Sequence, residues 1–124
     1  MITRYLAVGA GGFLGAMARY AVGVWIETMW RREFPLATFL VNISGCFLLG
    51  FFLTVAAERL DIGLLWRLLV ATGFVGAYTT FSTFEYETHR LAQSGAWGWA
   101  LLNVVGSVVA GFLALRLGVF LVRR

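Results

Sequence analysis

The stretch GFVGAYTTFSTF, residues 73–84, sets two glycines, a run of hydroxyls and two phenylalanines three apart into a chain that is otherwise apolar. Gly73, Gly76 and their neighbours hold a helix weakly. Thr79, Thr80, Ser82 and Thr83 carry hydroxyls that can bond to backbone groups freed from a helix. Such a segment is built to break. In water, freed N–H and C=O groups turn to solvent. In hydrocarbon they are tolerated only when buried in protein or lining a cavity, and free carbonyls there can bind a cation. Whether the surroundings are hydrocarbon therefore decides the fold.

Composition answers that question. Of 124 residues, 60% are hydrophobic and 13% charged, with a mean hydropathy of +0.84. A soluble domain of this size needs a polar surface that this composition cannot supply. The chain reads as a single integral membrane domain, residues 1–124. A helix needs about 20 apolar residues to cross a bilayer. Four segments qualify, approximately 4–26, 36–57, 64–88 and 96–121, joined by ETMWRREFP, ERLDIG and THRLAQSG. Pro35 opens the second, where its missing N–H does no harm. Arg4 followed by YLAVGAGGFLG and AMA imitates a cleaved secretory signal. The apolar run resumes from Tyr20 to Ile26, however, so this segment is expected to be a retained span. The predicted fold is all-α, four transmembrane helices with the third broken near its middle.

All ten basic residues are arginine, against six acids, for a net charge of +4. In a membrane protein this balance concerns loop placement and lipid headgroups, not nucleic acid. Arg4, Arg59, Arg67, Arg123 and Arg124 fall on one side, Arg31, Arg32 and Arg90 on the other, and Arg19 and Arg116 within or near spans. So slight a bias leaves two readings, a fixed topology or insertion in both directions, the second permitting an antiparallel dimer. Cys46 has no partner for a disulfide. His89 sits near a connector without a nucleophile or base beside it, and no enzyme is expected.

Polar residues mark the helix faces. GAGGFLGAMARY at 9–20 offers small-residue spacing for close helix approach and ends near Arg19, a guanidinium that must pair, face protein or water, or snorkel. In the second span Thr38, Asn42 and Gly45 share a stripe. Asn42 is either interhelical glue or a donor facing a polar path. Asn103 and Ser107 repeat the choice in the fourth span. Phe81 and Phe84 share a face, either packing or turning positive ring edges toward a small anion. Glu27, Glu58 and Glu85 fall toward segment ends, so no deep carboxylate is expected. A cation exporter usually needs one, which favours an anion.

The blocks GGFLGAMARY, TFLVNISGCFLLG and GFVGAYTTFSTF, in this order on a four-span chain of this length, resemble the bacterial fluoride channels of the Fluc or CrcB family. The resemblance implies a fluoride channel in the bacterial inner membrane, an antiparallel dual-topology homodimer with two fluoride pathways at its interface. It also implies a structural sodium ion held by backbone carbonyls of Gly76 and Thr79 from each subunit. Phe81, Phe84, Asn42 and Thr38 would lie along the fluoride path, with Ser107 and Asn103 contributing from the fourth helix. Arg19 would have a structural or electrostatic role. Ala77 stands where the family commonly has a second glycine, and a break requiring positive φ there would fit alanine poorly. The rival readings are a small dual-topology exporter of organic cations and a non-transporting membrane subunit.

Overall fold

The computed structural model describes residues 1–124. Four helical segments are long and apolar enough to cross a membrane: Ile2–Met29, Leu36–Glu58, Leu64–Gln93 and Trp97–Arg123. They match the four expected spans, with the third running past its expected end at 88. Only 20 of the 124 residues are buried. The chain thus leaves most of its apolar surface for lipid or another protein. Trp25, Trp97 and Trp99 at one end and Tyr5 and Trp66 at the other are exposed, as interfacial aromatic belts require.

The four segments pack as two close pairs. The first helix lies along the leading part of the third span, and the second helix lies along the fourth. Glycine makes both pairs possible. A Cβ on Gly11 would strike the Leu69 carbonyl, and one on Gly15 the Phe74 carbonyl. Gly50 and Gly118 meet the Leu115 and Phe47 carbonyls in the same way. Backbone against backbone gives the van der Waals contact that must hold helices together where lipid supplies no hydrophobic drive.

The third span is the irregular one. After an α-helical turn, Leu64–Arg67, it widens into a π-helix over Leu68–Val75 and returns to α geometry at Gly76–Tyr78. The widened stretch is the surface on which Gly11 and Gly15 sit. The helix then stops at Thr79 and Thr80, both extended, and restarts as Phe81–Gln93 with Thr80 as its cap. Beyond the break the chain leaves the first helix and packs on the fourth.

The break is thus real, but its position differs from the reading of Gly73, Gly76 and Ala77 as the weak point. Gly76 is helical, at φ −60° and ψ −35°. Close packing on the first helix outweighs its low propensity, and Gly73 is used for approach to Val8 and Gly11. The only positive φ in the chain is at Gly95, far from the break. Ala77 therefore meets none of the strain that a left-handed conformation would impose.

Arginines close one end of the bundle. Arg59 donates through Nε and Nη2 to the Val122 carbonyl at 3.1 and 2.8 Å. Arg67 donates to the carbonyls of Ile62 at 3.0 Å and Ala56 at 2.6 Å, and Arg123 pairs with Glu58 at 2.7 Å. The other end is closed by aromatic packing of Phe34 on Phe39 and Trp99.

Gly15→Val should destabilise the subunit by about 1–3 kcal/mol through overpacking against fixed backbone. Gly23→Ala, where an added methyl meets open space, should leave the unfolding midpoint unchanged or slightly raised. Thermal unfolding in detergent micelles distinguishes the two.

Candidate ion-pathway site

The break is held by one side chain. Asn42, on the second helix, donates from Nδ2 to the Thr80 carbonyl at 3.0 Å and accepts the Thr80 N–H at Oδ1, 2.8 Å away. A carboxamide carries a donor and an acceptor side by side, so it can replace both partners that a residue's N–H and C=O lose at a break. Two further bonds finish the restart. Thr80 Oγ1 accepts the Thr83 N–H at 3.3 Å and donates to Thr83 Oγ1 at 3.0 Å. This is the threonine N-cap expected of those hydroxyls.

These bonds have a consequence for the carbonyls. The Thr80 N–H would have gone to the Gly76 carbonyl in an unbroken α-helix, and the Thr83 N–H to that of Thr79. Both donors are diverted. The carbonyls of Gly76 and Thr79 thus lose their α-helical partners at one place.

Two grooves flank Thr80. One, of about 280 Å³, brings together Asn42, Cys46, Gly76, Thr79 and Phe81. The other, of about 300 Å³, brings together Arg19, Thr38, Thr83 and Glu87. The second shares Glu27 and Glu87 with a wider cavity of about 690 Å³ under the first connector, where Arg32 and Arg90 also lie. A mouth lined by both signs of charge therefore leads toward Thr80.

The phenylalanines part company. Their ring centroids are 5.7 Å apart with the planes tilted by 41°. Phe81 is 73% exposed and Phe84 only 6%. One ring stands on the subunit surface at the first groove, and the other is packed inside. Asn103 and Ser107 lie in neither groove. Asn103 is buried and donates to Thr88 Oγ1 at 2.9 Å, while Ser107 donates to Asn103 Oδ1 at 3.4 Å. Thr88 in turn donates to the Phe84 carbonyl at 2.8 Å. This chain of bonds ties the fourth helix to the restarted helix beneath Phe84.

The sequence reading passes over Glu87, which lies toward the connector end of the third span, beside Thr38 and the first connector. The restarted helix runs on to Gln93, which places Glu87 nearly two turns before its end. Its Oε1 accepts the buried Thr38 hydroxyl at 2.8 Å, and its Oε2 is buried without a partner. The signal was in the sequence: Glu87 follows Thr83 by four and Phe84 by three, and so shares their face. Ser44 and Tyr78 are likewise absent from the sequence reading, although their hydroxyls lie 2.9 Å apart beside the break.

Asn42→Ala should cost about 1–3 kcal/mol, since it strips two buried backbone groups of their partners. Ser82→Ala, at an exposed position, should be neutral. Unfolding midpoints of the two proteins give the comparison.

Comparison with known proteins places these features. The family described as CrcB-like protein, Camphor Resistance (CrcB), matches residues 6–119. A protein of Acidobacterium capsulatum named fluoride-specific ion channel FluC is 54% identical over 115 residues, which cover 93% of this chain and 92% of that one. A protein of the same name from Solibacter usitatus is 43% identical over 121 residues, 98% of this chain and 99% of its own. One from Listeria innocua is 39% identical over 123 residues, 96% of this chain and all of its own. The match takes in both grooves, the break and the capping asparagine, and the chain belongs to the CrcB family.

Proposed function

We propose that this chain is a fluoride-selective channel of the bacterial inner membrane, which passively exports fluoride from the cytoplasm. The observation that carries the reading is the near full-length similarity to several proteins named fluoride-specific ion channels. Glu87 lies toward the end of its span, beside the first connector, so the lack of a deep carboxylate still speaks against a cation exporter, alongside the similarity to the relatives.

The groove at Asn42, Gly76, Thr79 and Phe81 is open on the subunit surface, and a second, oppositely inserted copy of the chain covers it in this reading. The slight arginine bias between the two sides supports dual insertion. Fluoride is small and strongly hydrated, so its path must replace water with donors. The second N–H of the Asn42 amide, the proton of the Thr83 hydroxyl and the positive edge of the Phe81 ring are suited to this, while Thr38, along the same path, keeps its proton on Glu87 Oε1. Phe84, packed behind Phe81, fixes that ring's tilt. Arg19 draws anions into the mouth, and Asn103 and Ser107 act through Thr88 on the position of Phe84. None of these donors is a full charge at the narrowest point, which keeps binding weak enough for release. A negative-inside potential drives an anion outward.

The donors freed at the break suit a structural sodium ion. Hard cations take oxygen ligands, and the Gly76 and Thr79 carbonyls are uncharged oxygens without their helical partners. With the same pair from a second copy they hold the ion at the subunit interface. When bound, sodium supplies a fixed positive charge joining the two breaks.

Fluoride efflux from liposomes containing the purified protein tests the reading, with chloride as the control ion. Rapid fluoride efflux is expected, and Phe81→Ile should reduce it at least tenfold while leaving the protein's size in detergent unchanged. Undiminished efflux in that variant removes the assigned role of Phe81. Replacing sodium with a large organic cation should lower the unfolding midpoint, and an unchanged midpoint removes the ion from the assembly.

A further inference from the structure

Asn42 secures the residue after the break, but the residue before it has its own restraint. Tyr78 ends the leading helix of the third span and is only 7% exposed. Its hydroxyl lies 2.9 Å from Ser44 Oγ, and Ser44 Oγ lies 3.1 Å from the Val41 carbonyl. A serine has one hydroxyl proton. With that proton on the Val41 carbonyl, the Tyr78 hydroxyl must donate to Ser44 Oγ. The short relay leaves no proton without an acceptor. Between the two clasped residues, the methyl of Thr79 fills the space where a side chain on Gly45 would stand. Three neighbouring positions of the second helix, 42, 44 and 45, thus address three consecutive residues of the break, 80, 78 and 79.

We infer that Tyr78 is a positioning residue for ion passage, acting through its hydrogen bond to Ser44. Asn42 alone fixes one residue, Thr80, about which the leading helix can still pivot. The hydroxyl bond adds a second point two residues away and removes that freedom. With both points held, Thr79 and Thr80 keep the extended backbone that presents the Phe81 ring and turns the Gly76 and Thr79 carbonyls out of the helical ladder. The ring of Tyr78 is stacked on Phe74, centroids 5.9 Å apart and planes within 7°. Phe74 in turn carries the carbonyl against which Gly15 sits. The clasp therefore joins the break to one of the two close backbone contacts of the first helix. The inference rests on the channel reading for its functional consequence and on geometry alone for its structural one.

The test separates these two parts. Tyr78→Phe keeps the ring and its stacking and deletes only the hydroxyl. Ser44→Ala deletes the acceptor, and Ser44→Thr restores one. Amide hydrogen exchange of the peptide spanning residues 76–84 is measured for the full-length protein in lipid nanodiscs, alongside fluoride efflux per reconstituted channel.

Loss of one hydrogen bond should raise exchange of the Thr80 amide by on the order of fivefold, with a comparable fall in efflux. Ser44→Ala should do the same, Ser44→Thr should resemble the parent protein, and the double variant should be no worse than either single one. Unchanged exchange in folded Tyr78→Phe overturns the inference, as do strictly additive effects in the double variant. Faster exchange with undiminished efflux overturns the functional part. Should Tyr78→Phe fail to fold, Ser44→Ala alone decides by the same two readouts. Absence of fluoride efflux in the parent protein itself would instead defeat the channel reading, and the exchange data would still decide whether the clasp holds the break.

Discussion

The pairing of one carboxamide with the N–H and C=O of one residue governs this structure. In hydrocarbon each unpaired backbone N–H or C=O costs several kcal/mol, so a transmembrane helix can change course only where substitutes are waiting. Asn42 supplies both substitutes for Thr80. Once Thr80 is satisfied from outside, the third span can leave the first helix and join the fourth. The Asn42 bond to the Thr80 N–H releases the Gly76 carbonyl from its helical donor, the Thr80 cap on Thr83 releases that of Thr79, and Phe81 stands on the surface. Asn42 is therefore glue within the subunit, and the features proposed to handle ions follow from that structural role.

The glycines act one step earlier. They bring the first helix onto a widened π-helical surface and hold the leading half of the third span in place up to Tyr78. A rigid support on one side and a clasp on the other confine the irregular backbone to two residues. That confinement lets a break sit in a membrane without a large polar opening. The restarted helix is then fixed from a different direction, by the relay from Ser107 through Asn103 and Thr88 to the Phe84 carbonyl.

Much of this was legible in the sequence. Hydropathy located four spans, and the run of glycines and hydroxyls located the break within a few residues. Propensity could not choose among those residues, because the choice belongs to Asn42, 38 positions away. Gly73 is a packing surface against the first helix and Gly76 stays helical at an exposed position, a distinction that depends on which helix lies opposite. Phe81 and Phe84 were equivalent by spacing but not by burial, since the fourth helix and its relay cover only one. Glu87 shares a face with Thr83 and Phe84, but its partner Thr38 lies 49 positions away and only the fold brings the two together. The partnership of Tyr78 with Ser44 had no sequence signal at all, for neither residue belongs to a periodic pattern.

The chain's preference for arginine acquires a geometric reason at the end of the bundle where the helices stop. Arg59 directs two N–H groups at the single Val122 carbonyl, Arg67 spans the carbonyls of Ile62 and Ala56, and Arg123 grips both oxygens of Glu58. Each uses Nε and Nη2 together, a fixed fork that a lysine ammonium on its flexible stem does not offer. A composition with ten arginines and no lysine is thus, at these three positions, a matter of shape as well as charge. The cations stitch the loose ends of neighbouring segments into one edge.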